Sequence, residues 1–351
     1  MTRADLTVMG GGIFGLACAF VAAKRGAKVA VYEARHIGAG SSGGIIGALA
    51  PHVPEGWNEK KAFQLESLLM APAFWADVEA TGGEAAGYAR SGRLQPLADD
   101  HAIELALQRG ENAKTLWQGQ AHWRVRPATG AVWEPQSPTG MLIEDTLTGR
   151  LHPRMAGRAL VAALRAMGAV VVEGVDQPPQ GAGPVLWATG YKGMLDLNDA
   201  LGGKPGGGVK GQGVLLRYPA ADLPQLFVDG LHIVAHADDT VAIGSTSEHV
   251  WEDDTATDHQ AEALLARAIA ACPPLAKAEL LEFWAGIRPR AKSRAPMLGA
   301  WPDREGHFIA NGGFKIGFGM APKVAGVMAD LVLEGKDAIP EGFRIEASLK
   351  K

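Results

Sequence analysis

Three glycines near the start of the chain have a spacing that serves nucleotide binding. Gly10, Gly12 and Gly15 form a G-x-G-x-x-G pattern between a short apolar strand and a predicted helix. The first glycine of such a pattern permits a tight turn, the second lets the backbone approach a pyrophosphate, and the third lets helix and strand pack closely. The next predicted strand ends at Glu33, where a carboxylate can accept hydrogen bonds from ribose hydroxyls. Together these features predict a dinucleotide site.

A second glycine-rich stretch bears on which dinucleotide binds. Residues 38–51 are too rich in glycine for a helix and too apolar for a flexible linker, and such glycines allow close approach to the backbone. Glu33 argues against a 2′-phosphate but does not choose between NAD and FAD. A plain nicotinamide-binding domain would continue with strand–helix–strand units. Here a strand near Val172, the end of a strand at Ala188 and a C-terminal glycine-rich turn complete the domain instead, which favours the extended cofactor FAD.

Several segments together resemble the D-amino acid oxidase superfamily of flavoproteins, and within it the glycine oxidase branch. They are GGGIFGLACAF with Glu33, GSSGGIIGALAP, ATG at 188–190, WAGIRP at 284–289, PMLG at 296–299 and GGFKIGFGMAP. The segments are spread over the whole chain in the family's order. The resemblance implies FAD held without a covalent bond, because superfamily members that tether FAD use a cysteine near the C-terminal motif and the WAGIRP region has none.

The resemblance also implies which residues contact FAD. They lie in the first glycine motif, after the second strand, in the glycine-rich stretch, at two later strand ends and in the C-terminal turn. The predicted cofactor-binding residues are Gly10, Gly12, Ile13, Phe14, Gly15, Glu33, Ala34, Ser41, Ser42, Gly43, Gly44, Ile46, Val175, Ala188, Gly190, Gly313, Lys315, Ile316, Gly317 and Phe318.

Four residues are candidates for contact with substrate or the reacting ring. Arg288 of WAGIRP matches the family's arginine that binds the substrate carboxylate, a role that suits a planar guanidinium. Lys315 stands where the compared glycine oxidases carry arginine, and a cation there stabilises an anionic reduced flavin. His232 replaces a pocket tyrosine of the branch, and is either a substrate contact or a strand histidine with its hydrogen bonds satisfied. His52 either reaches the flavin face or substrate, or lies behind the residues that do.

The hydrophobic patterns predict an α/β fold of two interleaved domains with the active site between them. One is a Rossmann-like FAD-binding domain, and the other is an α+β substrate domain built on a mostly antiparallel sheet. The first takes residues 1–75, 145–205 and 286–351, and the second takes 76–144 and 206–285. Predicted helices cover 13–24, 60–79, 99–110, 153–167, 258–271 and 322–333; predicted strands cover 6–9, 28–32, 170–175, 185–187 and 308–311, with β-like alternation over 203–250.

Composition narrows the class of protein. The chain has 351 residues, 47% of them hydrophobic, and a net charge of −4, so there is no electrostatic case for nucleic acid. The two cysteines, Cys18 and Cys272, form no metal or disulfide pattern, and no metal site is predicted. No secretion signal or membrane-spanning run is recognisable, so a cytoplasmic location is expected, with a homo-oligomer left open.

Three functions follow from these observations. The first is an FAD-dependent oxidase that converts glycine, sarcosine or a small D-amino acid to an imine, with oxygen as acceptor and hydrogen peroxide as product. The second is a D-amino acid dehydrogenase that passes electrons to a quinone or carrier. The third is a flavin-binding module without turnover, since fold alone does not imply function. Arg288 discriminates against the third, because a non-catalytic protein has no use for a carboxylate-binding group in the cleft.

Overall fold

The described part of the chain contains two large sheets, a two-stranded sheet and eight α-helices. The structure is a computed structural model that describes residues 3–349. The strands are β1 (Leu6–Met9), β2 (Val29–Glu33), β3 (Ala48–Leu49), β4 (Arg93–Pro96), β5 (Trp123–Pro127), β6 (Met141–Asp145), β7 (Gly149–Arg150), β8 (Val170–Glu173), β9 (Val185–Trp187), β10 (Gly206–Arg217), β11 (Gln225–Val228), β12 (Leu231–Ala235), β13 (Thr240–Gly244), β14 (Glu279–Ala291), β15 (Met297–Ala300) and β16 (His307–Asn311). The helices are α1 (Ile13–Lys24), α2 (Glu59–Gly82), α3 (Asp100–Leu116), α4 (Pro153–Ala166), α5 (Gly190–Leu201), α6 (His259–Ala271), α7 (Gly317–Glu334) and α8 (Ile345–Leu349).

The first sheet has six strands in the order β15-β16-β9-β1-β2-β8. All neighbours are parallel except β15 and β16, which pair antiparallel. β1, α1 and β2 form the predicted strand–helix–strand unit, and α1 is almost wholly buried against α7 and α4. Alanines and larger apolar residues such as Leu16, Phe20, Leu160 and Val324 fill the core between these helices. The predicted Rossmann-like layer is confirmed.

The second sheet has eight strands in the order β14-β10-β13-β12-β11-β4-β6-β5. All of its neighbours are antiparallel except β11 and β4, which makes it mostly antiparallel, as predicted. Helix α6 packs on it with Leu264 and Ala268 against Val214 and Ile233. A two-stranded pair, β3 and β7, completes the strand pairing.

Three of the predicted domain boundaries fall inside regular elements, and the one after 144 separates Asp145 from the rest of β6. The boundary after 75 lies within α2, which packs along its length on α4 and α7. The boundary before 286 lies within β14, because β14 pairs with β10 from Glu279 to Ala291 without a break at that point. The two sheets themselves draw on separate stretches of chain, 6–33, 170–187 and 297–311 for the first and 93–145, 206–244 and 279–291 for the second.

Four helices differ from the predictions: α8 (Ile345–Leu349) was not predicted, and glycine explains the other three differences. Helix α3 continues past Gly110 to Leu116, because Gly110 serves packing: a Cβ there would lie 3.1 Å from the carbonyl oxygen of Trp123. Helix α7 begins at Gly317, and Pro322 lies inside it. The sequence predicts a later start because the glycines of the first turn have low helix propensity and are typical of a loop. Helix α5 was not predicted; its first turn holds Gly190 and Gly193.

None of the helices in residues 3–349 combines the length and the apolarity needed to cross a membrane.

Candidate active site

A cavity of about 1480 Å³ lies between the two sheets. One side is formed by the carboxyl ends of β1, β2, β9 and β16, where ligands of open parallel sheets bind. The other side is formed by β11, β12 and β14 of the eight-stranded sheet. The structure brings all the predicted cofactor and substrate residues to this cavity except Gly15.

Gly15 lies behind the cavity wall and has the packing role that the motif assigns to its third glycine. A Cβ at Gly15 would lie 2.0 Å from the carbonyl oxygen of Gly10. Gly10 itself has φ +114°, and a Cβ there would lie 2.4 Å from the carbonyl oxygen of Ala188. Neither position can therefore carry a side chain without moving β1, β9 or α1 apart.

The start of α1 is tied to the glycine-rich segment, residues 38–51. The backbone N–H of Ile13 donates to Ser42 Oγ at 3.0 Å. Glu33 accepts from the N–H of Gly11 at 2.7 Å with one oxygen and from the N–H of Arg35 at 3.0 Å with the other. Since a carboxylate has about four acceptor sites, Glu33 keeps capacity for further hydrogen bonds from a ligand.

Arg154, at the start of α4, connects the glycine-rich segment to β14 by hydrogen bonds. Its Nε donates to the carbonyl oxygen of Gly43 at 3.0 Å, and its two Nη atoms donate to Glu282 at 2.7 and 2.8 Å. A Cβ at Gly43 would lie 2.1 Å from the carbonyl oxygen of Gly38. The segment therefore folds tightly on itself and is linked through Arg154 to β14.

Arg288 extends from β14 into the cavity and is held by its neighbours. Nη1 donates to Ser245 Oγ at 2.9 Å, and Nη2 donates to the carbonyl oxygens of Thr246 at 2.7 Å and Lys210 at 3.4 Å. Nε is buried and has no hydrogen-bond partner among residues 3–349. Burial lowers the pKa of Arg288 to about 10, while the carboxylate of Glu248 raises it, so the side chain is charged at neutral pH.

Lys315 is a second cation on the cavity wall, two residues before α7 begins. Its Nζ has no hydrogen bond or ion pair with the described residues, and it lies 5.9 Å from the centroid of the Phe314 ring. Arg288 Cζ lies at the same distance from that ring, and Arg290 Cζ lies at 5.3 Å. Burial lowers the pKa of Lys315, and the positive charges of Arg288 and Arg290 lower it further.

His232 faces the cavity from β12 as a neutral ring. Its Nδ1 lies 2.9 Å from Gln225 Oε1, and the ring packs against Phe227. Burial lowers the pKa of His232 to about 3, and the positive charges of Arg93 and Lys315 act in the same direction. Because Gln225 Oε1 is an acceptor, Nδ1 carries the proton in this arrangement. Nε2 then keeps the ring's lone pair.

His52 lines the cavity but is fastened to α2. Its backbone N–H donates to Gln64 Oε1 at 2.8 Å, and its ring Nδ1 contacts the same oxygen. Gln64 is buried and also donates to the carbonyl oxygen of Ala50 at 3.2 Å. Burial lowers the pKa of His52. The ring's orientation is thus set by Gln64.

Several cavity residues were not among the predicted site residues. Ser245 follows β13 and Tyr191 opens α5, directly after the ATG segment; Trp284 lies inside the WAGIRP segment, where its indole covers Gly44 and Gly286. The position of Trp284 within a quoted motif was a usable signal. Gln64 and Arg154 lie on α2 and α4, and no motif in the sequence indicates which sides of these helices face the cavity.

Comparisons with known proteins agree with this geometry. A family profile described as FAD dependent oxidoreductase matches residues 5–331. The chain belongs to the FAD-dependent oxidoreductase family. Relatives within this family include a glycine oxidase of Geobacillus kaustophilus, 26% identical over 94% of this chain and 93% of the relative. A glycine oxidase of Pseudomonas putida is 27% identical over 96% of this chain and 98% of the relative.

The fold is also shared with solved structures of that kind. The crystal structure of glycine oxidase from Geobacillus kaustophilus superposes with a TM-score of 0.82 at 24% identity, covering 98% of this chain and 99% of the other. The protein is therefore an FAD-dependent oxidoreductase.

The cavity fits FAD as a non-covalent cofactor. At Gly10 and Gly43 a Cβ would collide with neighbouring backbone. Both positions therefore require glycine, which leaves backbone without side chains along the cavity wall, where a pyrophosphate needs close approach. The start of α1 and Glu33 would hold the phosphate and ribose groups, and the glycine-rich segment would cover the rest. Neither Cys18 nor Cys272 lines the cavity, and both are buried elsewhere. Neither cysteine is therefore placed to form a covalent bond to FAD.

Proposed function

We propose that this oxidoreductase oxidises the C–N bond of glycine, sarcosine or a small D-amino acid, with molecular oxygen as the electron acceptor and hydrogen peroxide as a product. The observation that carries the proposal is Arg288. It is a half-buried guanidinium on the cavity wall whose Nε is fully buried, and none of the described carboxylates lies within ion-pair distance of it. A charge so placed is costly unless a ligand compensates it.

Arg288 has donors left for a carboxylate. A guanidinium has five N–H donors, and its hydrogen bonds to Ser245, Thr246 and Lys210 use three of them. The two that remain are the Nε–H, which is buried, and the second Nη1 hydrogen, which would donate to the carboxylate. Since Ser245 and Thr246 fix the guanidinium plane, the amino acid would bind with its carboxylate in one orientation, which is what an oriented hydride transfer requires.

His232 is suited to the amine end of the substrate. Its neutral ring keeps a lone pair on Nε2 when Nδ1 donates to Gln225. An acceptor at this position would take a hydrogen bond from the amine and leave the nitrogen lone pair free as the C–N double bond forms. No residue of the chain needs to act as a strong base.

Bound FAD would supply the redox chemistry as the acceptor of the substrate's α-hydrogen, as hydride; with loss of a proton from the amine the substrate would become an imine, which water would hydrolyse to an oxo acid and ammonia or an amine. Lys315, with the start of α7 two residues away, would stabilise the negative charge of a reduced flavin bound in the cavity. The chain's own contribution is therefore orientation and electrostatic stabilisation.

The test is anaerobic reduction of the purified yellow protein by glycine, sarcosine, and sets of D- and L-amino acids, followed by admission of air. We expect bleaching by a small amino acid and recovery of the colour with one hydrogen peroxide formed per flavin. Recovery with a quinone but not with air would replace the oxidase by a dehydrogenase. Absence of bleaching by every amino acid would contradict the proposed function.

Two substitutions test the role of Arg288 within the same assay. Arg288→Lys keeps the charge but loses the fork and the hydrogen bonds to Ser245 and Thr246. It should weaken substrate binding about 10- to 100-fold, the effect of one or two charge-assisted hydrogen bonds. Arg290→Lys is the matched control, because Arg290 lies on the same strand but does not line the cavity.

A further inference from the structure

Two buried histidines and an aspartate meet behind the glycine-rich segment, outside the cavity. His152 precedes α4, His236 follows β12, and Asp238 lies in the turn between β12 and β13. The histidines are 7% and 0% exposed, while the side chain of Asp238 is 41% exposed. The two rings lie 4.7 Å apart, and His152 Nε2 lies 3.6 Å from Asp238 Oδ2. No metal site was predicted here, since the sequence separates these residues widely.

The hydrogen bonds around His236 leave two acceptors facing each other, with no proton or cation between them. Its Nδ1 lies 3.0 Å from Thr240 Oγ1, and its Nε2 lies 3.2 Å from the carbonyl oxygen of Ile46. Thr240 Oγ1 lies 2.7 Å from Asp238 Oδ1. An ionised carboxylate only accepts, so Thr240 gives its single proton to Asp238, and Nδ1 of His236 must donate to Thr240. Nε2 of the neutral ring then directs its lone pair at another acceptor.

A proton or a metal ion at Nε2 would relieve this contact. Burial lowers the pKa of His236 to about 4, and His152 nearby lowers it as well, so the ring is neutral near pH 7. Burial also lowers the pKa of His152. Neutral imidazoles are the form in which histidine binds a metal.

We propose that His152, His236 and Asp238 bind a divalent transition-metal ion of the zinc class, with a fourth position open to solvent on the side of Asp238. Two imidazoles and one carboxylate are a donor set that zinc accepts in tetrahedral geometry. One ligand atom from each residue lies within 4.8 Å of the others. Ligands of a tetrahedral zinc lie about 3.4 Å apart, so the side chains need to move by roughly 1 Å.

The surroundings support these ligands. Thr240 orients both His236 Nδ1 and Asp238 Oδ1, as a partner behind the metal ligands should. Coordination through His152 Nε2 gives up only the 3.5 Å contact between its Nδ1 and the N–H of Met155, which is a long hydrogen bond. Three cations lie nearby: Arg154 is neutralised by Glu282, Arg150 donates to the carbonyl oxygens of Gly87 and Ala221, and Arg158 lies close enough to lower the pKa of His152.

Such an ion would lie outside the cavity and would stabilise the segments that form its wall. The carbonyl oxygen of Ile46 contacts His236, while the Ile46 residue lines the cavity. The N–H of Leu151, next to His152, donates to the carbonyl oxygen of Gly47 at 3.0 Å. The ion would therefore fasten the glycine-rich segment, the start of α4 and the β12–β13 turn to one another. It would have a stabilising role with no part in the redox step.

The experiment is calorimetric titration of Zn²⁺ into the FAD-loaded, chelator-treated protein near neutral pH, with melting temperature as a second readout. We expect one zinc ion per chain and a higher melting temperature with zinc. Asp238→Asn and His236→Gln should weaken zinc binding at least about tenfold and remove the thermal effect. His101→Gln, an exposed histidine on α3, is the matched control and should change neither.

Two results would overturn the proposal. One is the absence of stoichiometric zinc binding by the folded, yellow wild-type protein. The other is zinc binding of equal strength in Asp238→Asn and the wild type. Because Asp238 is partly exposed, its variant is expected to fold even where His236→Gln does not.

Discussion

The guanidinium of Arg288 occupies the space that a side chain at Gly211 would fill. A Cβ at Gly211 would lie 1.5 Å from Nη2 of Arg288. The two residues belong to the neighbouring strands β10 and β14, whose ladder pairs Gly211 with Gly286. The sheet thus makes room for a half-buried arginine by leaving out a side chain on the adjacent strand.

Gly211→Ala should displace Arg288 and thereby impair substrate binding. The methyl group forces the guanidinium away from Thr246 and Ser245, so we expect kcat/KM to fall about 10- to 100-fold, the effect of losing one or two charge-assisted hydrogen bonds. Steady-state kinetics with the best amino acid checks this. Gly207→Ala on the same strand is the control, because nothing lies within 4 Å of its Cβ; equal loss in both variants would contradict the account.

Gly10→Ala should give a protein without FAD. The added Cβ would lie 2.4 Å from the carbonyl oxygen of Ala188, in a backbone conformation that disfavours any side chain. The ratio of flavin to protein absorbance after purification measures the effect. Gly26→Ala is the control, since Gly26 also has positive φ but has nothing within 4 Å. It should cost about 1 kcal/mol of stability and keep the colour; a yellow Gly10→Ala protein would contradict the assignment of the phosphate site.

Lys315→Met should lower the reduction potential of the bound flavin. Removal of a positive charge from the cavity wall would cost a reduced anionic flavin roughly 1–2 kcal/mol, about 20–40 mV for a two-electron couple. Redox titration against a dye of known potential checks this, and Lys315→Arg should restore the wild-type value. An unchanged potential in Lys315→Met would show that Lys315 does not face the flavin ring.

His232 should make the protein sensitive to acid. Its pKa is about 3 in the folded chain against an ordinary value of 6.5, so between these values the unfolded chain binds a proton that the folded chain does not. The free energy of unfolding is therefore fully retained above pH 6.5 and falls below it, by at most about 1.4 kcal/mol per pH unit. Urea denaturation at pH 7 and pH 5 should show a smaller loss for His232→Tyr; an equal loss would contradict the low pKa.

The nucleotide-binding unit could be predicted from sequence because its signals are local. The glycine motif and Gly26 mark both ends of α1, and the predicted helix matches the observed Ile13–Lys24. The same locality misled the prediction elsewhere. Gly110 predicts a helix end, but α3 continues past it, because Gly110 lets α3 pack closely on the backbone of Trp123.

The residues that support the site could not be predicted, because they come from distant parts of the chain. Arg288 was recognised within its motif, but its partners Ser245 and Thr246 lie on another strand's end. The approach of His152 to His236 depends on how α4 meets the β12–β13 turn. No periodicity or spacing in the sequence records such contacts.

The central claim is that a small amino acid binds through its carboxylate to Arg288. The most direct measurement is the rate of anaerobic flavin reduction by the best amino acid and by its amide, which differ only in the charged group. The account predicts reduction by the amide at least about 100-fold more slowly, because the half-buried guanidinium loses its ionic partner. Equal rates for the two compounds would contradict it.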